Sequence, residues 1–281
     1  MNGFINLNKA VGVSSAKEVG VIKRLSHTPC GHMGTLDPMA SGVLPIGIGN
    51  ACRLFDFFLS KRKTYVATFK FGEDYDTLDT TGKIVKSGGR IPAEEEITGV
   101  IERLVGEVMQ IPPLYSAKSV GGKRGYELAR SGVEFSLPPK KVSVYSIELL
   151  ESVGQDSYSF KIECGGGTYI RSIARDMAEL LGTYAAMSAL ERVRSGPFCL
   201  KCAVRSDELT EDNLNSYIIP TESVLPFADF YAEGTTAKRL FNGLSVKCEL
   251  ADGIYKIYNV KDFYGLADVK DGIIKVRAKL C

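Results

Sequence analysis

The residue whose surroundings best suit acid–base or nucleophilic chemistry is Asp37, within Gly31-His32-Met33-Gly34-Thr35-Leu36-Asp37-Pro38-Met39-Ala40-Ser41-Gly42-Val43-Leu44-Pro45. Pro38 drives Asp37 out of the helical region and stiffens the segment. The glycines allow another backbone or a ligand to come close. From these local features alone the plainer reading, an Asp-Pro turn, is the stronger. A second group is Gly165-Gly166-Gly167-Thr168-Tyr169-Ile170-Arg171, which leads into a helical pattern. Arg171 falls in the first turn of that helix, where the dipole disfavours a cation, so an anion is expected beside it: a phosphate, or an acid such as Asp37. The alternative is an exposed Arg on a helix flank. A third group is Tyr115-Ser116-Ala117-Lys118 with Gly121-Gly122-Lys123-Arg124-Gly125-Tyr126; residues 118–141 hold six bases and two acids. Bases interleaved with Tyr suit RNA backbone and bases, or simply a solvated loop.

The remaining motifs are poor in chemistry. Cys199-Leu200-Lys201-Cys202 is a lone CxxC without the two further ligands a zinc site needs, and the chain has only two histidines. Gly47-Ile48-Gly49 lacks the third glycine of a dinucleotide loop, and no Gly-Lys-Ser/Thr phosphate loop is present. Ser41 lacks the first glycine of a nucleophile elbow. No cofactor or metal is implied.

These residues need elements to hold them. Ser15 followed by Glu18 reads as a capping box opening a helix over 16–26. The breakers between Gly31 and Gly49 predict mostly loop with short extended pieces. Tyr65, Ala67, Phe69 and Phe71 alternate as one face of a strand. Three glutamates at 94–96 open a helix carrying Ile97, Ile101 and Leu104. Strands are predicted over 142–150 and 157–164 about a turn at Gly154–Asp156, and a helix from Ile170 that ends at Gly182. Strands mixed with helices, many joined as hairpins, indicate an α+β fold with a mixed, mainly antiparallel sheet.

The 281 residues carry 35 Lys+Arg against 33 Asp+Glu, a net charge of +2. That excludes a histone-like basic protein but not local basic patches. Bases gather at 53–70, where Arg53, Lys61, Arg62, Lys63 and Lys70 face one acid, at 118–141, and in the C-terminal tail. Acids gather at 73–79, 94–96 and 205–233. This shift places a domain boundary near residue 222: a large domain over 1–221 and a small β-rich module over 222–281. Seven scattered cysteines, no apolar run long enough to span a bilayer and no signal-peptide pattern fit a cytoplasmic protein.

The segment Gly31–Pro38 together with Ser41-Gly42-Val43-Leu44-Pro45-Ile46-Gly47-Ile48-Gly49 closely resembles the catalytic motif of TruB-type tRNA pseudouridine synthases. Further motifs occur in family order across residues 4–200. Asn8-Lys9-Ala10-Val11-Gly12-Val13-Ser14-Ser15 resembles Lys-Pro-x-Gly-x-(Ser/Thr)-Ser, and Lys63-Thr64-Tyr65 resembles Lys-x-Tyr. Gly72–Asp79 resembles Gly-x-x-Thr-Asp-Thr-x-Asp, and Leu190–Gly196 resembles Leu-x-Arg-x-Arg-Ser-Gly. Gln110–Ala117 and Gly167–Ser172 complete the series. The chain departs at Ala10 for the usual Pro, at Tyr75 for Thr and at Glu191, often basic in relatives; no catalytic position is lost.

The resemblance implies isomerisation of uridine 55 in the T-loop of tRNA: uracil is detached from its ribose, rotated and rejoined through C5. It implies Asp37 as nucleophile or base, acting on the ribose or the ring. Arg171 would keep Asp37 ionised, because a nearby guanidinium lowers a carboxylate pKa. Tyr65 would stack on the flipped base and could move a proton. His32 would help hold the rearranged loop, Tyr169 would orient Asp37 or the uracil, and Leu190 would line the pocket. Lys9, Lys118, Lys123 and Arg124 are expected to contact RNA. The partner is the tRNA T-arm, met by a monomer that needs no protein partner and no membrane. The C-terminal module resembles a small PUA-like RNA-binding domain. Two other readings use the same surfaces: a non-catalytic RNA-binding or chaperone protein, and a guide-RNA-dependent pseudouridine synthase.

Overall fold

The computed structural model describes residues 1–115 and 137–281, with the backbone of residues 119–120 and 123–124. In chain order the first elements are β1 (Gly3–Lys9), α1 (Ser15–Ser26), β2 (Cys30–His32), β3 (Ser41–Ile48), α2 (Phe55–Leu59) and β4 (Lys63–Phe71). There follow β5 (Asp74–Tyr75), β6 (Ile84–Lys86), α3 (Glu94–Ile101), β7 (Gly106–Gln110), β8 (Ser119–Val120) and β9 (Lys123–Arg124). Then come β10 (Lys140–Val153), β11 (Ser157–Cys164), α4 (Ile170–Leu180), β12 (Ala185–Ser195) and β13 (Phe198–Cys199). The last elements are β14 (Ala228–Ala232), α5 (Gly234–Phe241), β15 (Val246–Lys247), β16 (Gly253–Asn259), β17 (Asp262–Lys270) and β18 (Ile273–Lys279).

A nine-stranded sheet runs β1-β3-β12-β4-β11-β10-β7, with β2 paired to β3 and β13 to β12. All its pairings are antiparallel except β12 with β3, which is parallel. The α+β reading is therefore borne out. In β4 burial alternates residue by residue, so Lys63, Tyr65, Ala67, Phe69 and Phe71 share the covered face. The core against this face includes Phe160 and Ile162 of β11 and Ile173, Ala174 and Met177 of α4. A separate five-stranded sheet, β14-β16-β17-β18-β15, occupies residues 228–279. Its Leu266, with Leu280, joins Phe4, Phe58 and Phe198 in a cluster shared with the larger sheet.

Two local expectations are corrected. The N-cap of α1 is Ser14, whose Oγ accepts from the Lys17 N–H, and not Ser15. Ser15 is spent elsewhere: its Oγ accepts from the Leu36 N–H at 2.9 Å and donates to the Leu36 carbonyl at 3.0 Å. The stretch from Gly31 to Gly49 is not mostly loop, because residues 41–48 form a fully integrated strand. The breakers serve its packing. Gly42 has φ +97°, and a β-carbon there would lie 2.4 Å from the Arg192 carbonyl oxygen. Pro45 lacks an N–H, but its carbonyl accepts from Met33 at 2.8 Å.

Candidate active site

Asp37 sits in the connection between β2 and β3, and that connection is braced from behind. Leu36 is clamped by Ser15, and the Pro38 carbonyl accepts from the Gly12 N–H at 2.8 Å and from Lys9 Nζ at 3.4 Å. Lys9 is wholly buried and also donates to the carbonyls of Ala10 and Val13. The structure departs here from the expectation of an RNA contact: the Lys9 ammonium is spent on these three carbonyls and acts on the Asp37 segment from inside.

Arg171 enters from the first turn of α4. Its side chain is 7 % exposed and lies 3.0 Å from Asp37 Oδ2 and 3.4 Å from Asp79 Oδ2. It also donates to the carbonyls of Thr77 and Tyr115. The two carboxylates supply the anion that a cation at a helix N-terminus calls for. They differ in access: the Asp37 side chain is 42 % exposed and Asp79 only 6 %. Asp79 is itself locked by the Thr77 hydroxyl and by the N–H and hydroxyl of Thr81.

Asp37 and Arg171 open onto a cavity of about 200 Å³ lined also by Leu36, Lys63, Tyr65, Thr168, Tyr169, Met187, Leu190 and Arg192. Tyr65 is buried, which pushes its phenol above the usual range and keeps it protonated at neutral pH. Leu190 and Arg192 flank it because β12 pairs with β4, Arg192 lying opposite Tyr65. Tyr169 is fixed by a two-point clamp: its N–H donates to Gln110 Oε1 at 2.8 Å, and Gln110 Nε2 donates to its carbonyl at 3.1 Å. Lys63 Nζ donates to the carbonyls of Leu59 and Lys61. Burial, reinforced by the Arg192 charge, pushes the Lys63 ammonium down to about 8.

The structure thus brings together Asp37, Tyr65, Arg171, Tyr169 and Leu190 around one cavity. His32 stands apart, half-buried with its ring 6.1 Å from that of Phe55, and burial lowers its pKa. Lys118 and the side chains of Lys123 and Arg124 lie outside the described residues. Asp79, Gln110, Lys63 and Arg192 escape a reading based on composition and runs of charge. Period-two alternation would have found Lys63 and Arg192, since each shares a strand face with Tyr65 or Leu190.

The model described as "TruB family pseudouridylate synthase (N terminal domain)" matches residues 23–170, and that described as "tRNA pseudouridylate synthase B C-terminal domain" matches residues 171–226. The chain belongs to the TruB family. It is therefore an isomerase of the pseudouridine synthase class. The chain is 37 % identical over 282 residues to tRNA pseudouridine synthase B of Clostridium tetani, covering 97 % of each chain. It is 36 % identical over 293 residues to the protein of that name from Anaplasma phagocytophilum, covering 98 % of this chain and 97 % of the other. Among solved structures, one titled "Crystal Structure of a Cbf5-Nop10-Gar1 Complex" aligns with a TM-score of 0.72 at 26 % identity, covering 99 % of this chain and 85 % of that one. Within the TruB chain the two family models meet between Ile170 and Arg171, inside the cavity, so neither half alone holds both Asp37 and Arg171. The sheet over 228–279 lies beyond both models. Among the described residues no helix is long and apolar enough to cross a membrane.

Proposed function

We propose that this protein converts uridine 55 in the T-loop of tRNA to pseudouridine, with Asp37 as the carboxylate that acts on the ribose or the uracil ring. The observation that carries the reading is the pairing of Asp37, at the cavity mouth, with the buried Arg171. A base inside a folded loop must leave its stack to reach such a carboxylate, at a cost of roughly a few kcal/mol. Tyr65 offers a flat apolar surface and a protonated hydroxyl to the flipped ring, and Leu190 and Met187 exclude water around it. The curated relatives named tRNA pseudouridine synthase B match over nearly their whole length, which favours tRNA as substrate.

Residues 222–281 act in this reading as a PUA-like accessory module that holds tRNA beside the catalytic domain over 1–221. The protein works as a cytoplasmic monomer without a protein partner. A second reading is a synthase that needs a guide RNA and partner proteins, and the fold neighbour solved in complex with Nop10 and Gar1 lends weight to the need for partners. One experiment separates them: the purified chain alone is incubated with an unmodified tRNA transcript and new pseudouridine is mapped. We expect it at position 55 without added protein or RNA. Asp37→Asn keeps the shape and removes the charge, and we expect conversion to fall by at least about 10³-fold while tRNA is still bound. Undiminished conversion by Asp37→Asn removes Asp37 from the chemistry, and no conversion without a guide favours the second reading.

A further inference from the structure

Two cations in the cavity wall are left without a task by the chemistry above. Lys63 is only 5 % exposed and lines the cavity. Its Nζ donates to the Leu59 carbonyl at 2.8 Å and the Lys61 carbonyl at 2.9 Å. An ammonium has three N–H donors, and among the described residues no protein acceptor takes the third. Beside it Arg192, 1 % exposed, spends its guanidinium on the carbonyls of Val43, Thr35 and Gly34. Among the described residues neither cation has a carboxylate within ion-pair distance. Buried cations without counter-ions are expensive, and these two face the same small space.

Resting on the uridine-isomerising reading, the chemistry needs a cation there. When the C1′–N1 bond breaks, its electron pair stays with the ring and spreads from N1 onto O2 and O4. The new C1′–C5 bond then forms, C5 loses its proton and N1 gains one, so the overall change is an isomerisation. Between those events the detached ring carries a negative charge that an apolar pocket alone cannot hold. We propose that Lys63 is a catalytic residue, donating its third N–H to a carbonyl oxygen of the flipped uracil and holding the charge of the detached ring, with Arg192 behind it. Fixed donors aimed at developing charge in a dry site are the most effective form of such stabilisation.

Arg192 from β12 and Cys164 from β11 bear on Lys63 directly, and Asp37 from the β2–β3 connection and Arg171 and Tyr169 from α4 and its entry line the same cavity. Burial pushes the Cys164 thiol up to about 11 and raises the Tyr65 phenol, so both stay neutral. Lys63, pushed down to about 8, is charged at pH 7 and loses its proton above that value.

The test is the single-turnover rate of pseudouridine formation in an unmodified tRNA transcript by the full chain, followed from about pH 7 to about pH 9.5. Lys63→Gln should be slower by about a hundredfold near pH 7 with tRNA affinity unchanged. The wild-type rate should fall above pH 8, and Lys63→Arg, which keeps the charge, should retain activity and lose that fall. A fall that belongs to the substrate would survive in Lys63→Arg. Lys63→Gln at the wild-type rate, a wild-type profile that stays level, or an identical fall in Lys63→Arg overturns the proposal. If Lys63→Gln does not fold, the two pH profiles decide. A wild-type chain that forms no pseudouridine overturns the functional reading itself, whereas an active wild type without the fall overturns only the role of Lys63.

Discussion

The two walls of the cavity hold cations in opposite ways. On the α4 wall, Arg171 is neutralised by two carboxylates, one buried and one at the mouth. On the strand wall, Lys63 and Arg192 donate to backbone carbonyls, and among the described residues neither has a carboxylate partner. Carbonyl dipoles satisfy N–H groups without cancelling their charge. The first arrangement holds a reactive carboxylate still. The second leaves positive potential free for whatever enters. One pocket thus contains a finished ion pair and an unfinished one.

The largest expected effect comes from breaking the finished pair. Arg171→Met leaves Asp79 buried with its charge uncompensated. Removing one partner of a buried pair costs about 3–5 kcal/mol, so urea unfolding should show a loss of that order. Because Asp37 then loses its orientation, pseudouridine formation should collapse even in the fraction that remains folded. A variant as stable and active as wild type would show that the α4 wall is not held by this charge network.

How much of this contrast the sequence reveals depends on the kind of signal. The Tyr65 strand and the helix from Ile170 are legible because their apolar faces repeat with the right period over many residues. The Arg171 pairing is legible because a cation at a helix N-terminus needs an anion. Composition alone hides the strand wall, because Lys63 looks like one member of a run with Lys61 and Arg62, and only its alternation with Tyr65 sets it apart. It differs from them by being the first inward position of β4, a distinction made by the sheet and not by composition. β3 is hidden because Gly42 and Gly47 look like breakers, although they are what lets neighbouring backbone pack against it. Lys9 carries a charge that reads as RNA-facing until its three carbonyl partners come into view.

A smaller effect tests the scaffold behind Arg192. Gly42 combines φ +97° with a β-carbon position 2.4 Å from the Arg192 carbonyl oxygen. Left-handed strain and backbone overlap each cost about 1–3 kcal/mol. Gly42→Ala should therefore lose about 3 kcal/mol in denaturant unfolding, and β3 and β12 should be pushed apart where they run parallel. Normal stability would mean that the two strands can separate freely, and Arg192 would then have no rigid seat.

The smallest effect tests the unfinished charge through stability alone. Lys63 has an ordinary value of 10.5 when unfolded and about 8 in the native state. Below pH 8 it is protonated in both states, and the native state bears the full cost of burying the charge. As pH rises from 8 towards 10.5 the native state sheds the proton while the unfolded state keeps it, so folding becomes more favourable. The slope is at most about 1.4 kcal/mol per pH unit for one proton. Lys63→Met has no such group. Taking each protein's unfolding free energy near pH 7.5 and again near pH 9.5 cancels the other titrating residues in the difference. Wild type should gain roughly 1–2 kcal/mol on Lys63→Met over that interval. A gain of zero would mean that the Lys63 ammonium is not held at a cost in the native state, and the two walls of the cavity would then differ in geometry only.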